Sequence, residues 1–255
     1  MSEKKRLIPA FLAAILLASG FLFLKTLREG GEGVEIYEDL QEEVQVADAS
    51  GAFPDISLDV ERLLAENGDF TTWIYYADGK LNHPIVQESY EEINKYLTTS
   101  FDGLTSRAGC LFLPFDATED FTAYNSFIHG HNMRGGSMFG SLKTLYQKPE
   151  NNEFPWFFIW TKDHERMMYR VIAMYVTDEN SAMTAAAMEE TEQKEYILEA
   201  LKLGSTDGRV EFTDEEWDAA LGGARLVTLS TCYGASGSDQ RLLVHGIEIL
   251  RESWE

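Results

Sequence analysis

Cys232 ends the apolar run Leu226-Val227-Thr228-Leu229-Ser230-Thr231-Cys232 and opens a glycine- and serine-rich loop, Tyr233 to Gln240. A thiol at a strand end beside a loop is exposed enough to meet a substrate, and the thiolate is a strong nucleophile. Beyond the loop, Arg241 starts the next apolar run. If the two runs are antiparallel neighbours, the guanidinium returns beside the sulfur, where a fixed cation stabilises a thiolate or the oxyanion formed on a carbonyl. Spacing alone equally fits Arg241 as a surface cap of its strand. His131 closes the run Phe127-Ile128-His129-Gly130-His131 and precedes Asn132. Imidazole titrates in the range needed to protonate a leaving amine. His129 is a rival, since residues two apart share a strand face. His-x-His also resembles half a metal site, but no further histidine or carboxylate stands at ligand spacing, so neither metal nor cofactor is expected. Gly-x-Ser-x-Gly elbows and phosphate-binding glycine loops are absent from the sequence.

The elements that must position these side chains read as mainly β. Ile56, Val60, Leu63 and Leu64 follow helical spacing that Asn67-Gly68 ends. Strands are predicted over Thr71 to Tyr76, Cys110 to Leu113 and Phe127 to His131. Met138, Phe139, Leu142, Leu145 and Tyr146 lie on one face of a short helix. Trp156 to Thr161 and Met167 to Val176 form a hairpin through the turn Lys162 to Glu165. A helix runs from about Ala186 to Leu203, stopped by Gly204, and Thr213 with Glu216 makes a capping box for another ending at Gly222-Gly223. Arg225 to Thr231 and Arg241 to Leu250 close the chain. Many short strands with few helices predict a closed β-structure decorated with helices.

The segment Leu7 to Leu24 is uncharged and follows Lys4, Lys5 and Arg6. It is just long enough to span roughly 30 Å of hydrocarbon as a helix. The preceding cations put the N-terminus, residues 1–6, in the cytoplasm and the rest of the chain outside. A cleaved signal peptide is the competing reading, but the run is long for a signal core and ends in Phe21-Leu22-Phe23-Leu24 without a small-x-small site. Residues 25–54, with Gly30, Gly31, Gly33 and recurrent acids, read as a solvated spacer below a folded domain over 55–255. A net charge of -22 argues against a nucleic-acid partner. Outside the cytoplasm, a pair such as Cys110 and Cys232 defaults to a disulfide, which would make the chain a non-catalytic tether. The apolar setting of Cys110, Gly109-Cys110-Leu111-Phe112-Leu113, argues instead for a small buried core residue.

Thr228-Leu229-Ser230-Thr231-Cys232 resembles the TLxTC signature of sortases, and Arg241 within Gln-Arg-Leu-Leu-Val-His-Gly matches their arginine strand. The block Gly130 to Phe139, Trp73-Ile74 and Pro84 to Gln87 look like class B sortases in particular. The resemblance implies a sortase-like closed barrel over about 55 to 255. It also implies that Cys232 attacks the Thr–Gly bond of an LPxTG-like sorting signal on secreted proteins. His131 would then act as acid and base, and Arg241 would hold the carbonyls. By the same resemblance, Ser230, Thr231 and Asn132 would line the substrate pocket. A peptidoglycan-precursor amine would resolve the thioester, or a pilin lysine in a polymerising relative. This chain departs from relatives in carrying His129 where they have Tyr. It also carries Pro114 where they run directly into Asp, so Asp116 is given no catalytic role.

Overall fold

The computed structural model describes residues 36–42, 44, 46–47, 52–149, 155–184, 190–204, 222–223, 225–235 and 237–254. Leu7 to Leu24 and the Thr213 helix lie outside the described residues. Among those described, no helix is long and apolar enough to cross a membrane.

Residues 36–42 are helical (α1), and β1 (Val46–Ala47) pairs with β2 (Asp55–Ile56). Helix α2 (Val60–Glu66) is capped by Asp59, whose carboxylate accepts from Arg62 N. Eight further strands form a closed barrel, in chain order β3 (Phe70–Tyr76), β4 (Asn82–Gln87), β5 (Leu111–Leu113), β6 (Asn125–His129), β7 (Trp156–Thr161), β8 (Glu165–Asp178), β9 (Leu226–Cys232) and β10 (Gln240–Ser253). Around the barrel the order is β10-β8-β7-β3-β4-β5-β6-β9, with β9 paired back to β10. Helices α3 (Gly140–Gln147) and α4 (Glu190–Gly204) decorate it, as the mainly β reading expected.

Three differences from the sequence reading stand out. Strand β4 was not among the predicted strands, because Pro84 argues against a strand. Pairing to β5 begins only at Ile85, so the proline's missing N–H disturbs no ladder on that side. Packing also begins before residue 55: Tyr37 and Leu40 of α1 are buried in the main core, and Tyr37 Oη donates to Gly109 O. Finally, β6 ends at His129, two residues before His131.

Three histidines, His83 and His245 buried and His129 partly so, are held neutral. Burial pulls His83 to about 4 and His245 to about 3, while burial and then the charge of Arg241 pull His129 to about 4. Thr228 Oγ1 donates to Asn125 Oδ1 at 2.8 Å, so it must accept from His245 Nδ1, and Tyr175 Oη then donates to His245 Nε2 at 2.7 Å. In the unfolded chain all three histidines would take up protons near 6.5, well before the folded ones do. Stability should therefore hold above about pH 7 and fall by roughly 1.4 kcal/mol per pH unit for each histidine as the pH drops towards 4. Urea titrations at pH 7.5, 6 and 5 read this directly; midpoints that stay level or rise would contradict neutral burial.

Candidate active site

The site forms where three strand ends meet at one rim. Strands β6 and β9 are parallel, with His129 opposite Ser230, so both chains leave the barrel at the same edge. Strand β10 is antiparallel to β9 and begins there, with Arg241 paired directly to Cys232. Beyond the ladder, Gly130 N donates to Ser230 O at 3.3 Å and Thr231 Oγ1 donates to Gly130 O at 2.7 Å. Asn132 Nδ2 donates to Cys232 O at 2.9 Å. These bonds hold residues 130–132 against 230–232. Gly130 is needed because a Cβ there would stand 2.2 Å from Leu111 Cδ2 and 2.9 Å from Phe139 Cδ2.

His131, Cys232, Arg241, Ser230 and Thr231 line one cavity of about 390 Å³. Asn132 stands outside that wall and acts on the backbone of Cys232 instead. Cys232 is exposed, whereas Ser230 and Thr231 are nearly buried. His131 Nε2 lies 2.7 Å from Leu97 O. A carbonyl only accepts, so Nε2 carries the proton and Nδ1 is the nitrogen free to exchange one. His129 lies between Phe112 and Phe127, with ring centroids 5.5 and 6.1 Å away. Although it also lines the cavity, its partly buried, neutral ring suits it poorly to carrying a proton.

Arg241 is tied down on one side. Nη1 donates to Ser238 O and Gln240 O, each at 3.1 Å, and Nη2 pairs with Glu179. Among the described residues Nε–H and the second Nη2–H have no partner, and they are left for a ligand. Ile93 and Phe115 supply an exposed apolar rim to the cavity, with Tyr90 edge-on to Phe115 at 5.4 Å.

Both sulfurs are free, which overturns the Cys110–Cys232 disulfide. Cys110 is walled into the core just before β5, and its thiol is pushed up to about 12, chiefly by burial. Among the described residues no cluster of three or more His, Cys, Asp or Glu could hold a metal. Sequence reasoning missed the Leu97 carbonyl as a partner of His131, and it missed Glu179. Leu97 acts through its carbonyl and Glu179 through a contact 62 residues distant, and neither leaves a motif.

The closed barrel brings a free thiol, an imidazole and a guanidinium to one rim. The model of the sortase domain matches residues 80–248, and the chain belongs to the sortase family, whose members are cysteine transpeptidases. Its neighbours are class B sortases. It is 25% identical to sortase B of Listeria monocytogenes over 211 residues, 78% of this chain and 81% of the relative. Sortase B of Bacillus anthracis has the same fold, with a TM-score of 0.67 at 23% identity over 88% of this chain and 99% of that one. A Streptococcus pyogenes class B sortase involved in pilus biogenesis is 28% identical, with a TM-score of 0.61 over 75% of this chain and 98% of its own.

Proposed function

We propose that this chain cleaves an LPxTG-like sorting signal between Thr and Gly and transfers the acyl group to a cell-wall precursor amine, anchoring secreted proteins to peptidoglycan. The observation that carries this reading is the pairing of Cys232 with Arg241 across β9 and β10, in a cavity that His131 also lines. The Cys232 thiolate attacks the Thr carbonyl, and the oxyanion that forms is stabilised by the free N–H groups of Arg241. The C–N bond breaks as imidazolium Nδ1–H protonates the departing glycine amine, leaving a thioester on Cys232. An incoming amine then attacks the thioester and gives its proton to Nδ1, and the sulfur leaves. The apolar rim of Ile93 and Phe115 suits the leucine and proline that open such a signal.

In this reading Leu7 to Leu24 is the membrane anchor, with residues 1–6 in the cytoplasm and the catalytic domain outside the cell. Exposing the protein to a library of sorting peptides and measuring intact mass tests the chemistry. An acyl adduct on Cys232 is expected; turnover without any adduct on that residue would remove the thioester route. Pilin polymerisation is the second reading, favoured by the likeness to the pilus-biogenesis sortase. Offering lysine-bearing and precursor-like amines together separates the two by product.

Arg241→Lys should lower kcat by about 10²-fold, because an ammonium keeps the charge but loses the planar fork. Steady-state cleavage of the best peptide checks it, and full activity in this variant would reduce Arg241 to a surface cap.

A further inference from the structure

Arg241 sits between two strands at the rim, paired to Cys232 of β9 on one side and to Thr177 of β8 on the other. Its stem is long and rich in rotamers, so the guanidinium keeps one direction only where partners hold it. Nη1 is bound by Ser238 O and Gln240 O, both carried by the same loop and strand as Arg241 itself. The hold from outside that segment is the ion pair between Nη2 and Glu179. Among the described residues Glu179 is the only acid paired with Arg241.

Glu179 is itself fixed at both backbone groups. It follows β8, whose last ladder pair joins Asp178 to Gln240. Glu179 N donates to Asp239 O at 2.7 Å, and Glu179 O accepts from Thr184 Oγ1 at 2.8 Å. The acid is thus carried by the end of β8 and the 3-10 turn Ala182–Thr184, not by the glycine- and serine-rich loop. Folding stability does not account for the pair. The Arg241 and Glu179 side chains are 25% and 43% exposed, and ion pairs open to water contribute little to stability.

We propose that Glu179 is a positioning residue for Arg241: anchored on β8, it holds the guanidinium from the side away from Cys232 and fixes the unpartnered N–H groups before a substrate carbonyl arrives. Donors set in place beforehand need no reorganisation as the oxyanion forms, which is where such groups gain their effect. The inference rests on the proposed role of Arg241 and adds what keeps its guanidinium in place.

The test compares Glu179→Ala, which has no acceptor, with Glu179→Gln, which keeps a carbonyl oxygen of the same reach. Glu179→Ala should lower kcat by about 10-fold with KM within about two-fold of wild type, and Glu179→Gln should recover most of the loss. In parallel, ¹⁵N relaxation of the Arg241 Nε–H in the full chain reports side-chain order without any turnover. That group should be ordered in wild type and Glu179→Gln and clearly more mobile in Glu179→Ala. An equally ordered Arg241 in a folded Glu179→Ala protein would overturn the proposal, whatever happens to kcat. A mobile Arg241 with undiminished kcat would overturn it too, and Arg241→Lys then shows where the fault lies. Lost activity in Arg241→Lys would mean that the guanidinium works without Glu179, whereas full activity would remove Arg241 from the chemistry.

Discussion

The Cys232→Ala protein is expected to cleave a sorting peptide about 10⁴-fold or more below wild type, down to a level set by binding and oxyanion stabilisation alone. Without the sulfur no thioester forms, so no residue left in the cavity can store the acyl group between the two half-reactions. Intact-mass spectrometry should find no adduct on this variant under conditions that label wild type. Cys110→Ala is the matched control. Its sulfur is buried, held protonated and outside the wall of the cavity, so kcat should stay within about two-fold. Its cost should appear as lost stability, since the side chain fills core space. Comparable loss of turnover from both substitutions would contradict a single nucleophile.

His131→Ala should lower kcat by about 10³-fold, within the range that a positioned general acid and base contributes. Loss of the imidazole deprives the glycine amine of its proton as the C–N bond breaks, and deprives the incoming amine of a base. Acylation and transfer should therefore both slow. Single-turnover measurement of adduct formation and of its decay by added amine separates the two steps. His129→Phe, in contrast, should retain most activity, because His129 is held between two phenylalanines and neutral at working pH. Equal losses at the two positions would return His129 to contention as the proton carrier.

The two substitutions divide along a line that local pattern left open. Sequence spacing put His129 and His131 on one strand face, which would have made them equivalent. The backbone instead leaves the ladder at Gly130, where close contact with Leu111 and Phe139 excludes a side chain. His131 is thereby carried to the Leu97 carbonyl while His129 remains in the wall. The β9 end, the loop and the β10 start were legible, because alternating apolar runs with a glycine-rich break are local signals. Strand β4 was not, since a proline inside a run is ordinarily evidence against pairing.

By itself, the sequence determined the strand that Cys232 ends, the mainly β fold, and the burial of Cys110, all written in short-range alternation of residue types. Tertiary structure decided convergence. Strands β6 and β9 lie side by side and parallel, so Asn132 reaches the Cys232 carbonyl across a separation of 100 residues. No periodicity encodes which distant strands become neighbours, because that choice follows from closing the barrel and burying its apolar faces together. The same closure brings the Leu97 carbonyl to His131 and the Glu179 carboxylate to Arg241. A backbone oxygen and a surface acid leave no trace in residue spacing, and only the folded chain gives them a partner.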